Sequence, residues 1–248
     1  MQTATKSIHV LLAPLEMVIW GYERIKAKLS EELAPKIQAI PEARRISPKP
    51  NVAVPVVEAL RYLGGDDSLR GLYVNLLASA MDVETAYRAH PSFAEIIKQL
   101  TSDEAKILQV LSRNGSIPLL SIHLYTRLRG LRRITGWFSS DSYSYQRGVE
   151  CFSDVGEQAG CECVELTPNY LDNLARLGLI EKRHEISFTD AQVYADLEAH
   201  ESIHEYMASH QRADVQPRIE RYSAGLTSLG KQFIEACVVD GAGEAQPE

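Results

Sequence analysis

The apolar positions Leu11, Leu15, Val18, Tyr22, Ile25, Leu29, Leu33 and Ile37 recur at steps of three or four, which places them on one face of a long helix. Pro35 is expected to kink or end that helix and Pro41 to stop it. Four prolines, Pro41, Pro48, Pro50 and Pro55, then predict an extended connector over residues 41–55. Pro55 suits the first turn of a helix that closes at Gly64-Gly65. Asp66, Asp67 and Ser68 can cap the next helix, whose Leu69, Leu72, Tyr73, Leu76, Leu77 and Met81 share a face. His90-Pro91 ends that stretch, because a residue before proline is pushed out of the helical region. Ser92 opens a short helix with Phe93, Ile96, Ile97 and Leu100 facing inward.

The second half has a different rhythm. Thr101-Ser-Asp-Glu104 is a capping box, and it starts a helix through Ile107, Leu108 and Leu111 that stops at Asn114-Gly115. Thr167-Pro168 starts another, carrying Leu171, Leu174 and Leu177 to a stop at Gly178. Residues 179–188 and 219–226 read as strands, and Thr227 opens a last helix through Phe233. Helix, helix, strand, strand, helix is the outline of a winged helix, and Leu226-Thr-x-Leu-Gly-x-x-Phe resembles the end of its wing. The predicted fold is therefore mainly α: an N-terminal helical module (1–100), then a winged-helix-like α+β module (101–238) with a small β-hairpin. Two insertions interrupt it, a flexible loop at 134–165, rich in Ser, Tyr, Gly and Cys, and a short helix within 190–216. Residues 239–248 read as a disordered tail.

Composition changes this picture little. Hydrophobic residues make up 45% and charged residues 24%, as in a folded domain. The four cysteines are few and unevenly spaced, which suits a reducing compartment, and the expected location is cytoplasmic. The most apolar stretch, Ile8 to Trp20, is broken by His9, Pro14 and Glu16 and is too short to span a bilayer. Charge matters more. The net charge is −7; residues 1–100 hold 12 basic and 11 acidic side chains, the remainder 14 and 22. A duplex DNA binder must neutralise phosphates, so the acidic second half disfavours nucleic acid as a partner.

The sharpest chemical signal is His200-Glu201-Ser202-Ile203-His204, with His210 further on. On a continuous helix His200 and His204 lie about 40° apart, close enough for one zinc, with Glu201 as the base for a bound water. The run resembles the metzincin protease motif, but Met207 stands where that motif has glycine. Without that glycine an unbroken helix swings His210 about 120° from His204. Glu198 and Glu205 flank the string, and no methionine follows His210. An exposed, charged helix is the plainer reading.

Arg127, Arg129, Arg132 and Arg133, followed by Trp137 and Phe138, form the one dense basic cluster, a candidate for binding an anion or a partner. The plainer reading pairs it with the acidic stretch around Glu150, Asp154 and Glu157. The helix that a winged fold offers to DNA, Thr167 to Leu177, holds only Asp172 and Arg176 as charges. Cys161-x-Cys163 with Cys151 has poor spacing for structural zinc and reads as buried or idle thiols. No Walker loop, Rossmann glycine pattern or serine elbow is present, so no cofactor is expected.

Several stretches together, in this order, resemble the abortive-infection alpha (Abi-alpha) family of bacterial proteins. They are Trp20-Gly21, the Pro-rich connector, Leu76-Leu-Ala-Ser-Ala-Met-Asp82, His90-Pro-Ser-Phe-Ala-Glu-Ile-Ile97, Gln99-Leu-Thr-Ser-Asp-Glu-Ala105, Leu174-Ala-Arg-Leu-Gly-Leu-Ile180 and Leu226-Thr-Ser-Leu-Gly-Lys-Gln-Phe233 with the residues after it to Cys237. The resemblance runs from about residue 15 to 238. It implies a cytosolic protein of phage defence, in a family without a settled activity and with no catalytic residues to carry over. The expected function is that of a non-enzymatic interaction protein with a protein partner. A winged-helix nucleic-acid regulator and a zinc hydrolase are the alternatives, and homo-oligomerisation stays open.

Overall fold

The computed structural model describes residues 23–60, 63, 67–127 and 143–238. The start of the first predicted helix, the Gly64-Gly65 stop, Arg129, Arg132, Arg133, Trp137, Phe138 and the 239–248 tail lie outside the described residues.

Helix α1 (Glu23–Ala39) buries Leu29, Leu33 and Ile37, as their spacing predicts, and runs past Pro35 to end just ahead of Pro41. Proline forfeits one main-chain bond there, which burial of Leu33 and Ile37 on either side outweighs. The connector is shorter than predicted, because α2 (Pro50–Leu60) starts five residues before Pro55. Pro50 takes the first helical position, where no N–H is needed, and Lys49 O accepts from Val52 and Ala53 N–H at 3.0 Å. Pro55 then sits inside a helix held by the burial of Val52, Ala53, Val56, Val57 and Leu60. Helix α3 (Asp67–Ala80) buries Leu69, Leu72, Tyr73, Leu76 and Leu77, and Met81 is buried just beyond it. The remaining connector is zipped to the end of α3 by Ile46 N–H to Met81 O (2.9 Å) and Val83 N–H to Arg44 O (3.0 Å).

Helix α4 (Ser92–Lys98) leads into α5 (Ser102–Asn114). The capping box forms as read: Glu104 N–H donates to Thr101 Oγ1 (3.2 Å) and Thr101 N–H to Glu104 Oε2 (2.6 Å). Gly115 closes the helix at φ 70°. Thr101→Ala is expected to cost about 1 kcal/mol and to lower Tm by about 2–4 °C in thermal denaturation.

Four strands make one antiparallel sheet in the order β2-β1-β4-β3: β1 (Ser116–Arg127), β2 (Tyr143–Arg147), β3 (Ile180–Arg183) and β4 (Val215–Leu226). The strand predicted over 179–188 stops at Arg183, where the chain turns and Ile186 O accepts from Ser223 Oγ at 2.9 Å. β4 begins four residues before the predicted Ile219, because β1 pairs with it as far as Val215. β1 and β2 are absent from the sequence prediction. The described part of 134–165 is no flexible loop: it holds β2, the short α6 (Val155–Gln158) and a 3-10 turn at Val164–Leu166, ahead of α7 (Thr167–Arg176). The insertion at 190–216 holds two helices rather than one, α8 (Gln192–Glu198) and α9 (Glu201–His210), and then the start of β4.

The β1–β4 ribbon changes partners halfway along. At its inner end Ile117, Leu119, Tyr222 and Ala224 join the main apolar cluster, which runs from Leu29 to Cys237. On the opposite face Leu120 and Ile122 meet Tyr194, Leu197 and Ile203 of α8 and α9 in a second, smaller cluster. The chain ends its described course with α10 (Ser228–Phe233) and a π-helical turn, Ile234–Val238, laid against α3. Asn75 Nδ2 donates to Cys237 O and Ser79 Oγ to Ala236 O, each at 2.9 Å.

Candidate functional site

The imidazoles of the His200-to-His210 string are not brought to one point. His200 is extended (φ −62°, ψ 135°) and caps α9, its Nδ1 accepting from Ser202 N–H at 3.3 Å. Its Nε2 faces Glu157 Oε1 at 3.3 Å, and its ring stands edge-on to Phe152. The helix therefore begins after His200, and the 40° relation to His204 that a zinc pair requires does not arise. His210 stacks on Tyr206 with ring centroids 4.1 Å apart, its Nδ1 2.9 Å from Tyr206 O. Among the described residues, no group of three or more His, Cys, Asp or Glu side chains is placed to hold a metal ion. Buried Ile203, between the histidines, is what fixes this helix on the sheet.

The cysteines are free, and Cys161 and Cys237 are buried. Burial, then the nearby Asp103 charge, pushes the Cys161 thiol up to about 11, and burial pushes Cys237 well up too. The Cys161–Cys163 stretch instead wraps a carboxylate. Asp103 accepts from Glu162 N–H (3.0 Å), Cys163 N–H (3.2 Å), Tyr170 Oη (3.1 Å) and Lys106 Nζ (2.9 Å). Burial alone would raise this carboxyl, but the lysine, the two amides and the tyrosine outweigh it and bring it down to about 2. Cys151 has φ 57°, and its sulfur accepts from Lys182 Nζ at 2.9 Å and Tyr222 Oη at 3.4 Å, tying the loop after β2 to β3 and β4.

Of the predicted basic cluster, Arg127 is described, exposed at the end of β1. It belongs to a group that the sequence pattern did not reveal. In the outer half of the sheet, side chains two apart along three neighbouring strands share the face that α8 and α9 leave uncovered. The register sets Arg147, His123 and Arg218 side by side, then Tyr145, Tyr125 and Gln216, then Tyr143 and Arg127. Their contacts place them together: the Tyr125 and Tyr145 rings meet edge-on at 5.6 Å, His123 and Tyr145 at 4.9 Å. The Arg218 guanidinium lies 5.0 Å from the Tyr125 ring centre. Tyr143 and Tyr145 are 44% and 48% exposed, so both rings have a side free for contact. Two carboxylates touch the face: Glu220 Oε2 lies 3.4 Å from His123 Nε2, and Glu150 forms an ion pair with Arg147 at 3.2 Å. The alternations Tyr143-x-Tyr-x-Arg147 and His123-x-Tyr-x-Arg127 were the available signal.

The chain is matched over residues 21–237 by the family model described as abortive infection alpha. No curated protein matches it. It is also similar to a solved structure, that of an uncharacterized protein from the hydrocarbon-degrading marine bacterium Alcanivorax borkumensis SK2. The identity is 26% over 57% of this chain and 88% of that one, with a TM-score of 0.35.

Proposed function

The chain belongs to the abortive infection alpha family, and from that premise we propose that it is a non-enzymatic interaction protein of bacterial antiphage defence, acting through protein contacts. The observation that carries this reading is the use of the H-E-x-x-H string. His200 caps a helix, His210 stacks on Tyr206, and Ile203 packs on the sheet, so the string serves to seat an insertion.

We read residues 101–238 as a winged-helix-like module. Its support is the chain order α5, β1, α7, β3, β4, α10 with β4 lying between β1 and β3. Helix α7 would be the one offered to a DNA groove, but its charges are engaged elsewhere. Asp172 pairs with Lys182, and Arg176 bonds Gln99 Oε1 at 3.2 Å and Asn173 Oδ1 at 2.6 Å. That favours a module used for protein contact, with the helices of residues 1–100 as the part that meets a partner. Among the described residues no helix is long and apolar enough to cross a membrane. The working location is the cytoplasm.

A phage-plating assay tests the reading. Glu201→Gln is expected to leave protection within twofold of wild type, since the carboxylate heads an exposed helix and the histidines on either side of it are turned to other partners. Loss of protection in a folded Glu201→Gln protein would overturn the non-enzymatic reading. Capture of the tagged chain from infected cells would then identify the protein partner.

A further inference from the structure

We propose that the open face of the outer sheet, built on Tyr125, Tyr143, Tyr145, Arg127, Arg147 and Arg218, binds a single-stranded nucleic acid. The face combines the two chemistries such a strand requires. Three guanidinium groups stand on it, with Glu220 on the same face and Asp214 opposite Arg127 at its outer end, although the whole chain carries a net charge of −7. Glu150, beyond the end of β2, pairs with Arg147 at 3.2 Å, and a phosphate would take its place there. Three tyrosine rings stand among the arginines on adjacent strands, and any base can stack on a ring whatever its sequence.

A duplex would not use the face equally well. Its bases are already stacked, so the rings would meet only sugar and phosphate. An unpaired strand can lay its bases on the tyrosines while its phosphates reach the arginines. Sheets that bind RNA in this way stack two or three bases on their aromatics. Side chains two apart along one strand are about 6.8 Å from each other. The three rows from Arg147 to Tyr143 therefore offer room for about that many bases. The support behind the face is firm: Leu120, Ile122 and Ile219 pack on α8 and α9 on the far side, so the rings project from a fixed ribbon.

This inference goes beyond the protein-contact reading and does not depend on it, because it is tested by binding in purified components rather than by protection. The probes are fluorescein-labelled eight-nucleotide uridine RNA, its deoxy counterpart and a duplex of the same length, read by anisotropy with the full chain. Both single strands are expected to bind at 50 mM salt, at least about tenfold tighter than the duplex. Three neutralised phosphates predict a slope of log affinity against log salt near −2, which Arg218→Ala should flatten by about 0.7. Tyr145→Ala should weaken binding at least about fivefold and Tyr145→Phe should restore it, since stacking needs the ring and not the hydroxyl. Tyr145 lies on an exposed edge strand, so neither variant threatens the fold. Absence of binding at 50 mM salt, equal affinity for the duplex, or an unchanged affinity in Tyr145→Ala overturns the proposal.

Discussion

Gly230→Ala is expected to cost more than about 3 kcal/mol and to leave little folded protein at 37 °C. A Cβ at residue 230 would sit 1.9 Å from Leu179 O and 2.9 Å from its carbonyl carbon. These are backbone atoms and cannot turn aside as a side chain would. The same carbonyl accepts Thr227 N–H at 3.1 Å, while Thr227 Oγ1 donates to Gly178 O (2.6 Å) and accepts Gly230 N–H (2.9 Å). The first turn of α10 is thus bonded directly onto the turn between α7 and β3, and an added methyl group pushes the two apart. Gly71→Ala is the control: a methyl group at that position on α3 would meet nothing within 4 Å, so helix propensity should make it neutral or stabilising by up to about 1 kcal/mol. Urea denaturation of both variants decides the matter, and a Gly230→Ala protein within about 1 kcal/mol of wild type would refute the close docking.

The second large effect belongs to Asp103. Asp103→Asn keeps the shape but loses the charge that Lys106 meets, and turns an NH2 group toward the Glu162 and Cys163 amides. Hydrogen bonds to a charged group contribute about 1.5–3 kcal/mol each, and leaving buried donors unmet adds to the loss. A cost of about 3 kcal/mol is expected at neutral pH, discounted from the sum because Lys106 is partly exposed. The pH dependence has a definite sign. The carboxyl titrates near 2 in the folded protein and near 4 in the unfolded chain, so its contribution is complete above about pH 4. It fades as the pH falls toward 2. Urea midpoints of wild type and Asp103→Asn should therefore lie well apart at pH 6 and converge by about pH 2. A constant gap across that range would show that the carboxylate charge is not what holds the 162–163 backbone.

The elements legible in the sequence are those whose signals are local. The Thr101–Glu104 box, the Thr227 cap and the faces of Leu69 to Met81 and Phe93 to Leu100 depend on residues three or four apart, and they formed where the spacing placed them. β1 gave no such signal because it changes the face it buries. Ile117 and Leu119 pack on the main core while Leu120 and Ile122 pack on α8 and α9, so the apolar run is nearly continuous and lacks strict alternation. Pro118 adds a false breaker. Leu120 N–H points away from β4, to Phe152 O at 3.0 Å, so the N–H missing two residues earlier would also have pointed away from β4. Pro50 and Pro55 misled in the other direction, since a helix starts at the first and tertiary burial carries it through the second.

The candidate site was hidden for a related reason. Tyr143, Tyr145 and Arg147 lie on an edge strand that is exposed throughout, so its composition resembles a loop. Its pairing with His123 to Arg127 joins segments separated by residues outside the described structure. The H-E-x-x-H string is the converse case: its zinc reading needs a continuous helix from His200, and the helix begins only at Glu201.

The seating of the Ile234–Val238 turn on α3 bears on how the chain is made. Asn75 and Ser79 find their carbonyl partners only in Cys237 and Ala236, about 160 positions later. At the usual pace of bacterial synthesis that interval lasts about 8–30 s. Until then the flank of α3 that carries Asn75 and Ser79 waits for its cover, so the docking of the Ile234–Val238 turn is a late step as the chain emerges.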